Sequence, residues 1–278
     1  MAFSAEISRT NPTCLLFLVD QSKSMDGPFG GEEGKKKSEG VADAINRLLQ
    51  NLVLKCAKAD GVRDYFHVGV IGYGSEVAPK LAGTDAQQPL APISVVANNP
   101  LRLEQRKRMV DDGAGGLVEQ AFRFPVWFEP TAGGKTAMNG ALTLAKEVLT
   151  DFIATYPDCF PPLVINLTDG KPTDANPLDA AVALKALKST DGNVLMFNAH
   201  LSSSPAPPVC FPSDENMLAD KYAKLLFRMS SILPPKLMGA ARDEGFSIAG
   251  PARGFVFNAD LVAVIRFLDI GTRVAAPR

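Results

Sequence analysis

Two aspartates that follow apolar runs are the residues of this chain best suited to hold a metal ion. Asp20 is followed by hydroxyls at alternate positions, Ser22 and Ser24, and Asp169 is followed by Gly170. Alternate side chains of an extended segment point the same way, so the oxygens of the first motif can converge. Hard oxygen donors suit Mg²⁺ or Mn²⁺. The pattern therefore predicts a site for one hard divalent cation.

A third hydroxyl, Thr136, stands just after Gly133 and Gly134, where a helical pattern begins. Mg²⁺ requires near-octahedral oxygen coordination and usually keeps several water ligands. Carboxylates, hydroxyls and waters together can fill such a shell. The predicted metal ligands are Asp20, Ser22, Ser24, Thr136 and Asp169, with Mg²⁺ as the ion and Mn²⁺ or Ca²⁺ as the alternatives.

Each motif taken alone also has an ordinary explanation. An aspartate that ends a strand is often a turn former or a helix cap, and Ser22 and Ser24 can be turn residues. The three motifs together are stronger evidence for a metal site than any one alone, because each stands at a predicted junction between a strand and a helix.

Apolar patterns predict the strands and helices that would position these oxygens. The strands are expected at 14–19, 65–73, 163–167, 193–201 and 254–257. The helices are expected at 41–56, 138–152, 178–187, 218–229 and 261–268. Their alternation predicts an α/β fold with parallel strand pairing and helices on both faces. Ligands of such doubly wound sheets bind beyond the carboxyl ends of the strands, where the strand order reverses.

Two segments depart from this regular pattern. Residues 75–131 are rich in proline and lack clear periodicity, which predicts an insertion. Within it, an edge strand is expected at 122–128 because Pro125 disfavours a central one, and the basic residues at 102–108 are expected to form a solvated helix face. Residues 25–37 are expected to form a flexible loop next to the metal site. No linker divides the chain, so a single domain over 1–278 is predicted.

Composition excludes several classes of partner. The net charge is −1, which gives no global basic field for nucleic acid or an anionic membrane. No apolar stretch approaches the roughly 18–20 residues that a spanning helix needs, and the polar start is unlike a signal peptide. A cytoplasmic protein is therefore expected. The cysteines are expected to be free thiols, because they lack Cys-x-x-Cys spacing: Cys14, Cys56, Cys159 and Cys210.

Catalytic alternatives fit the sequence less well. Gly134-Lys-Thr suggests a P-loop, but Glu129 stands where that motif needs its first glycine. An aspartyl nucleophile at Asp20 would usually have a second acid two residues later, where this chain has a serine. His67 and His200 are expected to be structural. A metal-dependent phosphoesterase, or a protein that binds nucleotide or phosphate, remains the alternative function.

Taken in order, the three motifs resemble the metal-ion-dependent adhesion site (MIDAS) of von Willebrand factor type A (VWA) domains. The matching segments are Asp20–Met25, Gly133–Leu142 and Thr168–Gly170. Ala137 stands where the family frequently has proline. The resemblance covers the region from Thr13 to Leu201.

The resemblance implies a particular fold and particular residue roles. The sheet would be mostly parallel and six-stranded, with one antiparallel edge strand. Ser22 and Ser24 would bind the metal directly, and Thr136 would bind it in one state. Asp20 and Asp169 would bind it directly or through water. Gly133, Gly134 and Gly170 would border the surface that meets the partner.

The function implied is that of a protein-binding module rather than an enzyme. An Asp or Glu of the partner would complete the metal's coordination shell. The carboxy-terminal region, Gly254–Thr272, resembles that of small cytoplasmic bacterial members of the family. Those members accompany protein kinases, phosphatases or stress-resistance systems. A bacterial signalling or stress-response role is therefore expected, with a kinase or phosphatase of the same system as the partner.

Overall fold

A mostly parallel central sheet, covered by helices on both faces, organises the chain. In this computed structural model the described residues are 3–30, 34–111, 113, 115–203, 206–218 and 220–272. The strands in these ranges are β1 (Thr13–Asp20), β2 (Ala57–Lys58), β3 (Gly61–Val62), β4 (Phe66–Tyr73), β5 (Val77–Pro79), β6 (Ala91–Pro92), β7 (Arg102–Asp111), β8 (Leu117–Val126), β9 (Leu163–Thr168), β10 (Lys188–Ser189), β11 (Gly192–Asn193), β12 (Leu195–Leu201), β13 (Val209–Cys210) and β14 (Phe255–Ala259). The α-helices are α1 (Lys37–Cys56), α2 (Ile93–Asn98), α3 (Met138–Thr155), α4 (Leu178–Ala186), α5 (Lys221–Met229), α6 (Pro235–Asp243) and α7 (Leu261–Thr272).

The strand order of the central sheet is β13-β14-β12-β9-β1-β4-β5, and β6 also pairs with β4. Its five inner strands, from β14 to β4, are parallel. The expected α/β fold with parallel pairing is therefore confirmed. The expected count of six strands with one antiparallel edge strand is wrong. Among the described residues the sheet has eight strands, and β5, β6 and β13 pair in the antiparallel sense. These strands have only two or three residues, too few to show a hydrophobic period.

The central strand β1 is buried along its whole length and separates two apolar layers. Leu15 and Phe17 belong to the core under α1, α2, α6 and α7, whereas Leu16 and Leu18 belong to the core under α3, α4 and α5. Successive residues of a strand point to opposite faces. A strand buried on both faces is therefore apolar at every position, which is the pattern that predicted it.

The segment 75–131 contains defined structure at both ends and in its middle. Its residues 77–79 and 91–92 form β5 and β6, which share the outer edge of β4. Residues 122–126 of the edge strand expected at 122–128 do lie in a strand, β8, but β8 pairs with β7 in a separate two-stranded hairpin and not with the central sheet. The helix face expected at 102–108 is wrong, because those residues lie in β7. Strand β7 is largely exposed and only three of its ten residues are apolar, so it shows no hydrophobic period of two.

Asn46 connects α1 to the chain that follows this hairpin. Its side-chain Nδ2 donates to the Phe128 carbonyl at 2.8 Å, and its Oδ1 accepts from the backbone N–H groups of Trp127 and Phe128 at 2.8 and 3.1 Å. Asn46, Trp127 and Phe128 are all buried. Buried backbone groups need such partners. This contact therefore fixes the segment that leads to Gly133.

Other expectations concern the chain as a whole. All four cysteines are free, as predicted, and Cys210 is the one that is only partly buried. No helix in the described ranges is long and apolar enough to cross a membrane. Of the loop expected to be flexible at 25–37, residues 31–33 lie outside the described residues. Within the described part of that loop, residues 25 and 26 belong to a 3-10 turn (Lys23–Asp26), and residue 37 is the first residue of α1.

Candidate metal site

The predicted ligand loops meet at the point where the strand order of the sheet reverses. From β1 the chain crosses to β4 on one side, and it later returns to β9 on the other side. Asp20 is the last residue of β1, and Asp169 directly follows β9. Because β1 and β9 are parallel neighbours, both carboxylates lie at the same edge of the sheet. Crevices at such switch points are where α/β sheets bind ligands.

Hydrogen bonds fix both oxygens of Asp20, which is fully buried. Oδ1 accepts from the Ser22 backbone N–H at 2.8 Å, and Oδ2 accepts from the Thr168 hydroxyl at 2.6 Å. Thr168 Oγ1 in turn accepts from the Gly170 N–H at 3.1 Å. The first and third ligand loops therefore share one hydrogen-bonded junction.

A chain of hydroxyl groups connects the same two loops. Ser24 Oγ donates to Asp169 Oδ1 at 2.7 Å. The hydroxyl oxygens of Ser22 and Ser24 are 3.0 Å apart. A serine hydroxyl has one proton, so Ser22 donates to Ser24, which donates to Asp169. In this arrangement Ser24 Oγ keeps one lone pair and Ser22 Oγ keeps both, and these can act as metal ligands.

The second loop is held against the first through its backbone. The Gly133 N–H donates to the Gln21 carbonyl at 2.7 Å, and the Lys23 N–H donates to the Gly134 carbonyl at 3.3 Å. Gly134 has a φ of +79°, and a Cβ there would lie 2.4 Å from the Ser75 nitrogen. Both facts require glycine at this position. The stretch that suggested a P-loop is thus a tight turn that packs beside the first loop.

Thr136 is buried, and main-chain contacts hold it in place. Its N–H donates to the Thr173 hydroxyl at 3.0 Å, and its carbonyl accepts from the Thr173 N–H at 2.9 Å. The loop conformation therefore does not depend on the Thr136 hydroxyl. Just beyond it, Asp174 accepts from the N–H groups of Asn139 and Gly140 at the start of α3.

Oxygens from the first and second loops lie close to one point beside Gly170 of the third loop. A Cβ added to Gly170 would lie 3.7 Å from Thr136 Oγ1 and 3.8 Å from both Asp20 Oδ2 and Ser24 Oγ. The small cradle is lined by hard oxygens, which suit Mg²⁺. The described chain gathers no group of three or more His, Cys, Asp and Glu side chains placed for a metal. A metal here would therefore depend on hydroxyl ligands as well as on the two carboxylates.

The two carboxylates differ in their electrostatic surroundings. Burial raises the pKa of Asp20 to about 6, although hydrogen bonds from Ser22 and Thr168 act in the opposite direction. Asp169 forms an ion pair with the ammonium of Lys37, through Oδ2. Lys37 is the first residue of α1. A cation is thus already present at one of the two carboxylates.

Sequence reasoning missed Lys37 and Thr168 as parts of the site. Lys37 lies 132 residues from Asp169 along the chain, so no local spacing could reveal the pair. Thr168 was noted only as part of the third motif. It lies two positions after Asn166 in β9, so both side chains are on the same face of that strand. Asn166 accepts from the buried Tyr73 hydroxyl at 2.6 Å and donates to Asn198 at 2.9 Å. This polar chain crosses the sheet directly below the site.

Both histidines pack against aromatic rings, as expected for structural residues. The His67 ring lies 5.5 Å from that of Phe152 and 5.4 Å from that of Tyr156. The His200 ring stacks on Phe257 at 4.9 Å. Burial lowers the pKa of both imidazoles.

Comparisons with known proteins give low structural likeness. No protein-family model matches the chain, and no curated protein does. The vWF domain of the type V pili tip protein Mfa5 from Porphyromonas gingivalis is 14% identical, with a TM-score of 0.33, over 59% of this chain and 39% of that one. Proximal thread matrix protein 1 from the mussel byssus is 13% identical, with a TM-score of 0.48, over 98% of this chain and 48% of that one.

A third structure, the PilB minor pilin from Streptococcus sanguinis, is 13% identical, with a TM-score of 0.34, over 58% of this chain and 30% of that one. The chain therefore spans less than half the length of each of these three proteins. At these values the comparisons assign neither a family nor a function.

Replacing Gly134 with Ala should destabilise the protein by about 2 kcal/mol or more, because a strained φ adds to a clash with Ser75. Gly113→Ala is the matched control, since Gly113 has a similar φ of +77° but nothing within 4 Å of its added Cβ. Urea unfolding of both variants measures the difference. Equal losses of stability would show that the packing of Gly134 against Ser75 is unimportant.

Replacing Asp20 with Asn should stabilise the metal-free protein increasingly as the pH rises from 4 to 6. Folding raises the Asp20 pKa from 3.8 to about 6, so the folded state binds the extra proton between these values. Stability is therefore lost as the pH rises through this window, by about 3 kcal/mol in total. The asparagine amide of the variant does not titrate, so the variant does not lose this stability as the pH rises. Unfolding in EDTA at pH 4 and pH 8 tests this, and a pH-independent gain would contradict it.

Proposed function

We propose that this chain is a divalent-metal-dependent protein-binding module. In this proposal an acidic side chain of a partner protein completes the coordination of a bound Mg²⁺, or of Mn²⁺ or Ca²⁺ in its place. The observation that carries the proposal is the convergence of Thr136, Asp20 and Ser24 oxygens on one point beside Gly170. Asp20 and Ser24 belong to the first loop, Thr136 to the second and Gly170 to the third, so their meeting reflects the tertiary fold and not local turn chemistry.

The residues that would hold the ion are those expected from the sequence: Asp20, Ser22, Ser24, Thr136 and Asp169. When bound, the metal would supply a positive centre with a position open to an anionic ligand. The chain itself supplies the rigidity of the site. Thr168 and the Ser22 N–H hold Asp20, and Ser24 holds Asp169. A ligand set fixed before binding loses little conformational entropy when the ion and the partner arrive.

The hydrogen bonds of the site favour binding over catalysis. The serine hydroxyl protons are used to connect the loops, from Ser22 to Ser24 and from Ser24 to Asp169. The described contacts pair neither serine with an imidazole, which is the usual means of activating a hydroxyl nucleophile. His200 lies on the neighbouring strand opposite Thr168, where its ring stacks on Phe257. We therefore assign the site to recognition.

The exposed surface around the site favours an acidic partner. Lys23 lies between the two serines of the first loop, Lys135 precedes Thr136, and Lys171 follows Gly170, and all three lysines are exposed. Each ligand loop thus presents one ammonium group at its surface. The whole chain has a net charge of only −1, so this basic rim is a local feature. Complementary charge of this kind speeds encounter with an acidic partner and orients it.

The resemblance of the three motifs to a MIDAS supports the same proposal. The cellular setting in the proposal follows from that resemblance: a cytoplasmic VWA-like protein of bacterial signalling or stress response. In that setting the partner is a kinase or phosphatase of the same system. This setting is independent of the site chemistry, so the experiments below test the chemistry first.

Thr136→Val should weaken Mg²⁺ binding by about tenfold or more, because it removes one oxygen ligand and preserves the shape of the side chain. Isothermal calorimetry measures the affinity. Thr143→Val is the matched control, since Thr143 is an exposed threonine of α3 whose hydroxyl bonds only to Asn139 among the described residues. Asp20→Ala should abolish binding. Equal Mg²⁺ affinity in wild type, Thr136→Val and Asp20→Ala would refute the site.

A protein partner should be captured by the wild type in Mg²⁺ and released by EDTA, and it should not be captured by Thr136→Val. The physical reason is that the metal forms part of the contact with the partner. Mass spectrometry of the released material identifies the partner. Capture that persists in EDTA would contradict a metal-dependent contact. Release of phosphate from phosphoester substrates, dependent on Mg²⁺ and lost in Thr136→Val, would instead favour the enzymatic alternative.

A further inference from the structure

Lys37 forms a nearly buried ion pair with one of the proposed metal ligands. Its ammonium contacts Asp169 Oδ2, while Asp169 Oδ1 accepts the hydrogen bond from Ser24. The side chains of Lys37 and Asp169 are 9% and 2% exposed. Charges this far from water are weakly screened, so the ammonium influences every other charge in the site.

The neighbouring Lys36 makes a contrasting ion pair. It contacts Asp26, with side-chain exposures of 49% and 59% for the two residues. An exposed ion pair of this kind contributes little to stability, because water and salt screen its charges. The chain therefore offers two adjacent lysines, each paired with an aspartate, of which only Lys37 is paired with a proposed metal ligand.

Charge arithmetic shows what Lys37 does to the site. Asp20 and Asp169 contribute −2 when both are ionised, and Lys37 contributes +1, so the set carries −1. A bound divalent cation changes this to +1. Without Lys37 the metal-loaded set would be neutral. A single carboxylate from outside neutralises the loaded set only when Lys37 is present.

We propose that Lys37 is the residue that makes the metal-loaded site select an anionic ligand. Its ammonium weakens the binding of the metal alone and strengthens the binding of a carboxylate to the loaded site. Metal and carboxylate therefore bind cooperatively, and the site resists taking up metal unless an acidic partner is present. This inference rests on the proposed function, and it adds the source of the preference for a carboxylate.

Mn²⁺ alone is the first probe, because its free concentration can be followed by electron paramagnetic resonance. Lys37→Met should bind Mn²⁺ about tenfold more tightly than the wild type, since a nearby like charge is removed. Lys36→Met, the matched control, should stay within about twofold of the wild type because its charge is solvent-screened. Equal Mn²⁺ affinity in Lys37→Met and the wild type would overturn the inference.

Acetate is the second probe and stands for the partner's carboxylate. Water-proton relaxation reports whether acetate displaces water from bound Mn²⁺ at constant ionic strength. The wild type should bind acetate about tenfold more tightly than Lys37→Met, and Lys36→Met should match the wild type. Acetate affinity that is unchanged or higher in Lys37→Met would also overturn the inference.

Further variants keep the test decisive if Lys37→Met fails to fold without metal. Lys37→Gln is neutral but can still donate to Asp169, and it should show the same tighter Mn²⁺ binding. Lys37→Arg keeps the charge and should behave as the wild type. The proposed function and the proposed role of Lys37 would be contradicted by different results. If neither the wild type nor Lys37→Met binds Mn²⁺, with or without acetate, the proposed function fails, whereas wild-type binding that neutral substitution leaves unchanged removes only the role of Lys37.

Discussion

The hydrogen bond between Thr168 and Asp20 is the contact on which the site depends. It joins the ends of β1 and β9 across the point where the strand order reverses, and it holds a fully buried carboxylate. Parallel pairing of β1 with β9 brings the two residues together. Burying a charge without full compensation is unfavourable, which is why the Asp20 pKa is raised to about 6. The metal-free fold thus contains a local cost that a bound cation would relieve.

The metal-free protein handles its two carboxylates in different ways. Burial raises the pKa of Asp20 to about 6, and Asp169 has the ammonium of Lys37 as its partner. Both arrangements reduce the negative charge that would otherwise collect at the edge of the sheet. Both also oppose metal binding, because protonation of Asp20 competes with the metal below about pH 6 and Lys37 adds a like charge. Affinity for metal is therefore set by the balance between ligand oxygens and these competing cations.

Local pattern predicted the parts of the site that lie near one another in sequence. Ser22 and Ser24 could be associated with Asp20 because they follow it at alternate positions, although Ser24 lies in a 3-10 turn and not in an extended loop. Thr136 could be associated with the site because two glycines before it indicate a tight turn. The Lys37–Asp169 pair could not be predicted, since only the tertiary fold unites residues 132 positions apart. Strand β7 was misassigned as a helix face because only three of its ten residues are apolar, which leaves no hydrophobic period of two. Strands β5 and β6 were missed because each is shorter than one recognisable period.

Helix α1 explains how loops from distant parts of the chain keep one geometry. Its first residue, Lys37, contacts the third ligand loop through Asp169. Nine positions later, about 13 Å along the helix, Asn46 binds the backbone at Trp127 and Phe128, shortly before the Gly133 turn of the second loop. The first loop leads into the same helix. All three loops are therefore tied to one rigid element whose apolar face packs on the sheet. The packing of α1 on the sheet therefore supports the meeting of the three loops, in addition to the Thr168–Asp20 hydrogen bond.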